Sequence, residues 1–195
     1  MSSNREERID AAFVHIYLAM ARVSQGSKAA CIRSVDKSRG DELAILEAKL
    51  KVIGGYWRIH KTVNARDVEK ARRWLICRLI NHPEKAAFID SEWRTALLQP
   101  DCVYGAKRFM LDIDSQDFLV LDKVKTEIHS KGATIFSMHQ SPKGWHYITT
   151  PFDTREVTTI PDVTLLRDGY YFVKEVNREC LTPPVSTPTQ EKHSV

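Results

Sequence analysis

Residues 107–114 read K-R-F-M-L-D-I-D, an apolar run that closes on two aspartates one residue apart. On a strand, residues two apart share a face and lie ~7 Å from one another. Asp112 and Asp114 would then share one face, with Phe109, Leu111 and Ile113 on the other. Two carboxylates so placed suit a hard cation such as Mg²⁺ or Mn²⁺, which takes oxygen ligands and often one or two carboxylates plus substrate phosphates. A second reading needs no cation. Asp114 or Ser115 would N-cap the following helix, and Asp117 would sit in its first turn near the positive end of the dipole. That reading leaves Asp112 without a task.

Further along comes S-P-K-G-W-H, Ser141 to His146. Its Ser, Lys and Gly make a phosphate-friendly corner: Gly144 allows close backbone approach, Lys143 brings charge, and His146 can donate to a phosphate oxygen. The alternative is a hairpin turn with a partly buried histidine. A third candidate is a basic stripe on a helix, Arg66, Lys70 and Arg73, which would face the phosphates of a nucleic acid or simply water.

The elements that must position these residues divide the chain in two. The first hundred residues read as helical, over Glu6 to Val23, Glu42 to Ile53, Asn64 to Ile80 (Asn64 as N-cap) and Ser91 to Leu98, with a polar loop from Gly26 to Gly40. Strands are expected at Arg108 to Ile113, Ala133 to Met138 and Trp145 to Thr150, and a helix at Ser115 to Lys131. Val163 to Leu166 and Tyr170 to Val173 read as a hairpin around Arg167-Asp168-Gly169. The fold class is α+β: N-terminal helices (1–100), then a β-α-β-β-β-β core (101–176), then a Pro-, Ser- and Thr-rich tail (181–195) expected to be disordered.

With 195 residues, 43% hydrophobic and 28% charged, the chain can bury a core of its own. A net charge of +4 permits a polyanionic partner without requiring one. The N-terminus lacks a signal core, and the longest apolar stretch, Ala11 to Ala21, is too short to span a bilayer, so a cytoplasmic protein with no membrane partner is expected. The four cysteines form no C-x-x-C pair.

Acidic-x-acidic after an apolar strand, followed by small-x-His, resembles the archaeo-eukaryotic primase superfamily, the primase-polymerases. The match runs from about Lys107 to Thr150 and rests on Asp112-Ile113-Asp114 and Gly144-Trp145-His146. Ser141-Pro142-Lys143 is similar to the segment preceding that histidine in the polymerase domains of bacterial end-joining ligases. The resemblance implies an RRM-like half, a nucleotidyltransferase that binds nucleoside triphosphate and nucleic acid in DNA replication, and Mg²⁺ or Mn²⁺ on Asp112 and Asp114. It places His146 on the nucleotide phosphates beside Ser141, Lys143 and Gly144. It also implies a helicase or other replication partner and a phage or plasmid setting. The family's third acidic residue has Asp162 as its best counterpart here, with Asp153 and Asp168 behind it, and the family's second long helix is missing after Thr150.

Two other readings stay open. His60-Lys61-Thr62 and His139-Gln140-Ser141 are paired H-x-[T/S] triplets, which resemble the metal-free two-histidine phosphoesterases, with one histidine as base and one as acid. Alternatively, the chain keeps the fold as a non-catalytic module that binds nucleic acid or protein.

Overall fold

The computed structural model describes residues 12–22, 30–36 and 40–177. The expected tail (181–195) and the start of the first expected helix lie outside them. In chain order the elements are β1 (Phe13–Ala21), β2 (Cys31–Asp36), α1 (Glu42–Ile53), β3 (Tyr56–Thr62), β4 (Arg66–Asp67), α2 (Val68–Asn81), α3 (Ile89–Leu97), β5 (Phe109–Ile113), α4 (Phe118–Ser130), β6 (Ile135–Gln140), β7 (Trp145–Thr149), β8 (Val163–Leu166) and β9 (Tyr170–Asn177). They build two antiparallel sheets, ordered β2-β1-β3-β9, with β4 also on β1, and β6-β7-β5-β8. The α+β class is as expected, but the N-terminal half is not a set of helices.

Within the segment read as a helix from Glu6 to Val23, the described part Phe13–Ala21 is instead the strand β1. It lies between β2 and β3 and buries residues of both faces, Val14 and Ile16 as well as Tyr17 and Ala19. A central strand buried on both faces is apolar throughout and hides the alternation that marks a strand. Part of the expected Gly26 to Gly40 loop is β2, its edge partner. Helix α1 packs Leu46 and Leu50 against Tyr17, Ala19, Trp57 and Ile59, and ends at Gly54 (φ 80°). Helix α2 starts later than expected: Asp67, not Asn64, caps it, accepting from the Lys70 amide at 2.9 Å. With α3 it closes a core around Val14, Ile16, Ala71 and Leu97.

The second sheet is closer to expectation. β5 lies at its centre, and α4 covers one face through Val124 and Ile128 on Leu111, Ile113 and Tyr147. Where a second long helix was missed in the sequence, only one 3-10 turn, Val157–Thr159, stands. The expected β8–β9 hairpin does not form: β8 pairs with β5, whereas β9 crosses to the first sheet and pairs with β3.

The sheets meet across a thin core of Val63, Met110, Ile148 and Tyr171. Beside it, Arg66 makes a two-pronged bond to Asp168 in the β8–β9 turn, at 2.7 and 2.9 Å. Asn64 ties the same carboxylate to the backbone of Arg108. Two cavities open at the ends of β5, one mouth at Arg108 and one at Asp112 and Asp114, with about 20 Å of extended chain from Arg108 to Asp114.

Candidate active site

At one mouth, β5 delivers Asp112 and Asp114. Asp112 sits opposite His146 on β7 and opposite Thr164 on β8. The His146 Nε2 lies 3.2 Å from Asp112 Oδ1. On the other side of the ring, Nδ1 accepts a 3.0 Å hydrogen bond from the Phe172 amide of β9. A nitrogen that accepts from N–H carries the lone pair, so the ring proton belongs to Nε2 and faces Asp112. The small-x-His histidine is therefore a neutral donor, oriented by the opposite sheet.

The helix-cap reading of the acidic pair does not hold. Asp117 caps α4, its carboxylate accepting from the Leu119 amide at 2.9 Å, while Ser115 Oγ accepts from the Asp117 amide. Asp114 makes no side-chain hydrogen bond among the described residues; only its backbone is tied, to the Asp162 carbonyl at 2.8 Å. Its carboxylate is exposed at the cleft.

The Ser141–Gly144 turn is held by its own hydrogen bonds. Ser141 N donates to the Gly144 carbonyl at 2.8 Å, and the Gly144 amide donates to Ser141 Oγ at 3.1 Å. The glycine is required by β5 rather than by a ligand. A Cβ on Gly144 would stand 2.7 Å from Ser115 N and closer still to the Ile113 carbonyl oxygen. The turn thus lies flat on the backbone that carries the acidic pair, leaving exposed Lys143 at the cleft.

Sequence reasoning missed the opposite wall. Arg22, Arg58 and Phe172 of the first sheet line the same cleft of about 200 Å³, with His60 beside them. Their local sequence carries no sign of this, because it is the pairing of β1 with β3 and of β3 with β9 that brings them together. Arg58 is partly engaged by Glu175 at 2.9 Å. Among the described residues the buried Nδ1 of His60 has no hydrogen-bond partner. Burial pushes the His60 imidazole below its ordinary value, and the nearby His146, Arg58 and Arg22 push the same way.

The other expected carboxylates are placed differently. Asp162 lies beside Asp114, whose amide donates to its carbonyl, but its backbone is left-handed (φ 62°) and the strand pairing stops at Val163. Asp153 is held by Arg155, which keeps its carboxyl at about 2, and Asp168 is taken by Arg66 and Asn64. Among the described residues no three His, Cys, Asp or Glu side chains gather as a metal cluster. The donor set therefore fits one hard ion shared between Asp112, Asp114 and substrate oxygens better than a cage made by protein alone.

Arg66 is not a surface cation. Its side chain is 1% exposed and serves the crevice latch, so the basic stripe reduces to exposed Lys70 and Arg73, the latter near Glu69. The H-x-[T/S] triplets lose their hydroxyls. Thr62 Oγ1 is buried and accepts from the Ile16 amide, and Ser141 Oγ holds its turn. His139 stacks on Tyr171 at 4.3 Å and bonds Ser137, with burial lowering its pKa.

The chain matches no family model, no curated protein and no solved structure. Among the described residues no helix is long and apolar enough to cross a membrane.

Proposed function

We propose that the protein is a metal-dependent nucleotidyltransferase of primase-polymerase type, acting on a nucleoside triphosphate and nucleic acid. One observation carries this: an acidic pair free of any capping role shares a small cleft with the cations Arg22, Arg58 and Lys143. Carboxylates alone would repel a polyphosphate, and cations alone would need no carboxylates. Both together suit a phosphate chain that arrives with a divalent ion. The strand order β6-β7-β5-β8 around an acidic β5, with α4 on one face, supports the resemblance to an RRM-like half.

In this reading Asp112 and Asp114 hold Mg²⁺ or Mn²⁺, which would supply charge neutralisation at the phosphates. Lys143, Arg58 and Arg22 meet the phosphate oxygens where negative charge grows on the leaving pyrophosphate. His146 directs its Nε2–H into the same space, held in that tautomer by the Phe172 amide. Ser141 and Gly144 are positioning residues that seat Lys143 against β5. Replication partners and a cytoplasmic, phage or plasmid setting follow from the resemblance and belong to this proposal.

The test is incorporation of labelled nucleoside triphosphate, ribo- and deoxyribo- in separate reactions, on a single-stranded template with Mn²⁺. The expected result is extended product from the wild type and none from Asp112→Asn. Product from that variant at the wild-type rate, or none from the wild type with either sugar, contradicts the proposal.

A further inference from the structure

The mouth at the other end of β5 is a separate cavity of about 400 Å³, within the ~300–1,000 Å³ range of small-ligand sites. Its chemistry is unlike that of the acidic mouth. Tyr104 and Phe13 stack with ring centres 4.8 Å apart, and Arg108 lies over the exposed Phe136 ring at 4.3 Å. Lys107 joins Arg108 in the lining, and neither has a carboxylate within ion-pair distance among the described residues. Among the described residues no Asp or Glu lines the cavity. His15 bonds the Thr62 carbonyl through Nδ1, which leaves Nε2 as an acceptor.

Flat aromatic faces beside cations that have no ion pair among the described residues suit a planar base that carries a phosphate. A purely apolar ligand would leave Lys107 and Arg108 unused, and a bare anion would leave the aromatic walls unused. The lack of carboxylates also sets this site apart from one that needs a divalent ion. From these observations we infer a second nucleotide site, metal-independent, which takes a nucleobase and its phosphate between Tyr104 and Phe136. The base comes either from a free nucleotide or from an unpaired position of a nucleic-acid strand. The strand source is compatible with β5, whose two ends would then serve one polyanion about 20 Å apart. The inference does not depend on the acidic site being catalytic.

The test is calorimetric titration in EDTA with AMP and, separately, with single-stranded oligoadenylate. The chelator silences any metal-dependent binding at Asp112 and Asp114. Wild type and Asp112→Asn/Asp114→Asn should bind AMP equally. Tyr104→Ala and Phe136→Ala, both at exposed positions, should bind about tenfold more weakly with unchanged melting temperature. Lys107→Ala should lower the salt dependence of oligoadenylate binding by about one counterion. Comparable affinity for AMP and oligoadenylate assigns a free nucleotide; much tighter, salt-sensitive oligoadenylate binding assigns a strand. Absence of binding by either probe in EDTA, or equal binding by wild type and both aromatic variants, overturns the second site. Neither result bears on the acidic mouth, whose own test requires Mn²⁺.

Discussion

The two cavities, one at each end of β5, flank one strand, yet they are built on different principles. At the acidic mouth the polar groups are positioned by backbone: Asp112 by its ladder to β7 and β8, His146 by the Phe172 amide, and Lys143 by a turn seated on Ile113 and Ser115. At the aromatic mouth the side chains come from the ends of elements and the loop before β5, and they are stabilised by ring stacking and a guanidinium over a ring. The first arrangement suits chemistry, which tolerates little displacement of reacting groups. The second suits holding a base, since every base offers a flat face. Two mouths built this way should fail separately, and substitutions can be chosen to break each one.

The largest effect is expected from Asp168→Ala. Arg66 is buried and, among the described residues, its Nε already lacks a partner, so removing Asp168 leaves a buried guanidinium uncompensated. Losing one member of such a pair costs about 3 kcal/mol, which urea denaturation would measure. Asn64 and Arg108 belong to the same latch, so oligoadenylate binding should weaken along with stability. Gly144→Ala comes next. The new methyl collides with β5 backbone, and overpacking of this kind costs roughly 1–3 kcal/mol. Manganese-dependent triphosphate binding should be lost while binding at the aromatic mouth in EDTA persists. Loss of both together would mean that the mouths are not independent.

A pH titration separates them by another route. Burial lowers the pKa of His15 at the aromatic mouth and of His60 at the acidic one, and of His139 between the sheets. Well above 6.5 these histidines are neutral in both folded and unfolded chains and contribute no pH dependence. As pH falls below 6.5, the unfolded chain binds protons that the folded chain refuses, so stability declines until their lower folded values are passed. Melting temperature should therefore drop between pH 7 and 5. His60→Gln should flatten the decline, and an unchanged slope in that variant would remove His60 from this account. The smallest effect is reserved for the cap. Asp117→Ala should cost about 1 kcal/mol by thermal or urea unfolding, whereas Asp114→Asn should cost nothing. A loss in Asp114→Asn as large as that in Asp117→Ala would restore a structural role for the acidic pair.

What could be read from the sequence follows the distance over which structure is decided. Asp112, Asp114 and His146 were legible because a strand, its helix and the next two strands are neighbours along the chain. The β5–β7 register then places the histidine on the aspartate. Helix α1 was legible from Leu46 and Leu50 and the Gly54 stop. β1 was not, since a strand packed on both faces loses its period. The β8–β9 turn has hairpin chemistry, but Arg66 draws Asp168 away and β9 finds its partner in β3. The same long-range pairing explains why Arg22 and Arg58 gave no local sign of belonging to the cleft. Asp162 shows the converse: its position fits a third carboxylate, but its left-handed backbone takes it out of the ladder.

The most direct measurement is thermal unfolding with Mn²⁺, with and without nucleoside triphosphate, on the wild type and on Asp112→Asn/Asp114→Asn. A ligand at 100 times its dissociation constant stabilises by ~2.7 kcal/mol, a clear rise in melting temperature. The account predicts that triphosphate raises the wild-type melting temperature further when Mn²⁺ is present and does so far less in EDTA, with the metal-dependent part of the shift absent from the double variant. An equal shift in the double variant, or none in the wild type, would contradict the assignment of Asp112 and Asp114 as a nucleotide-metal site.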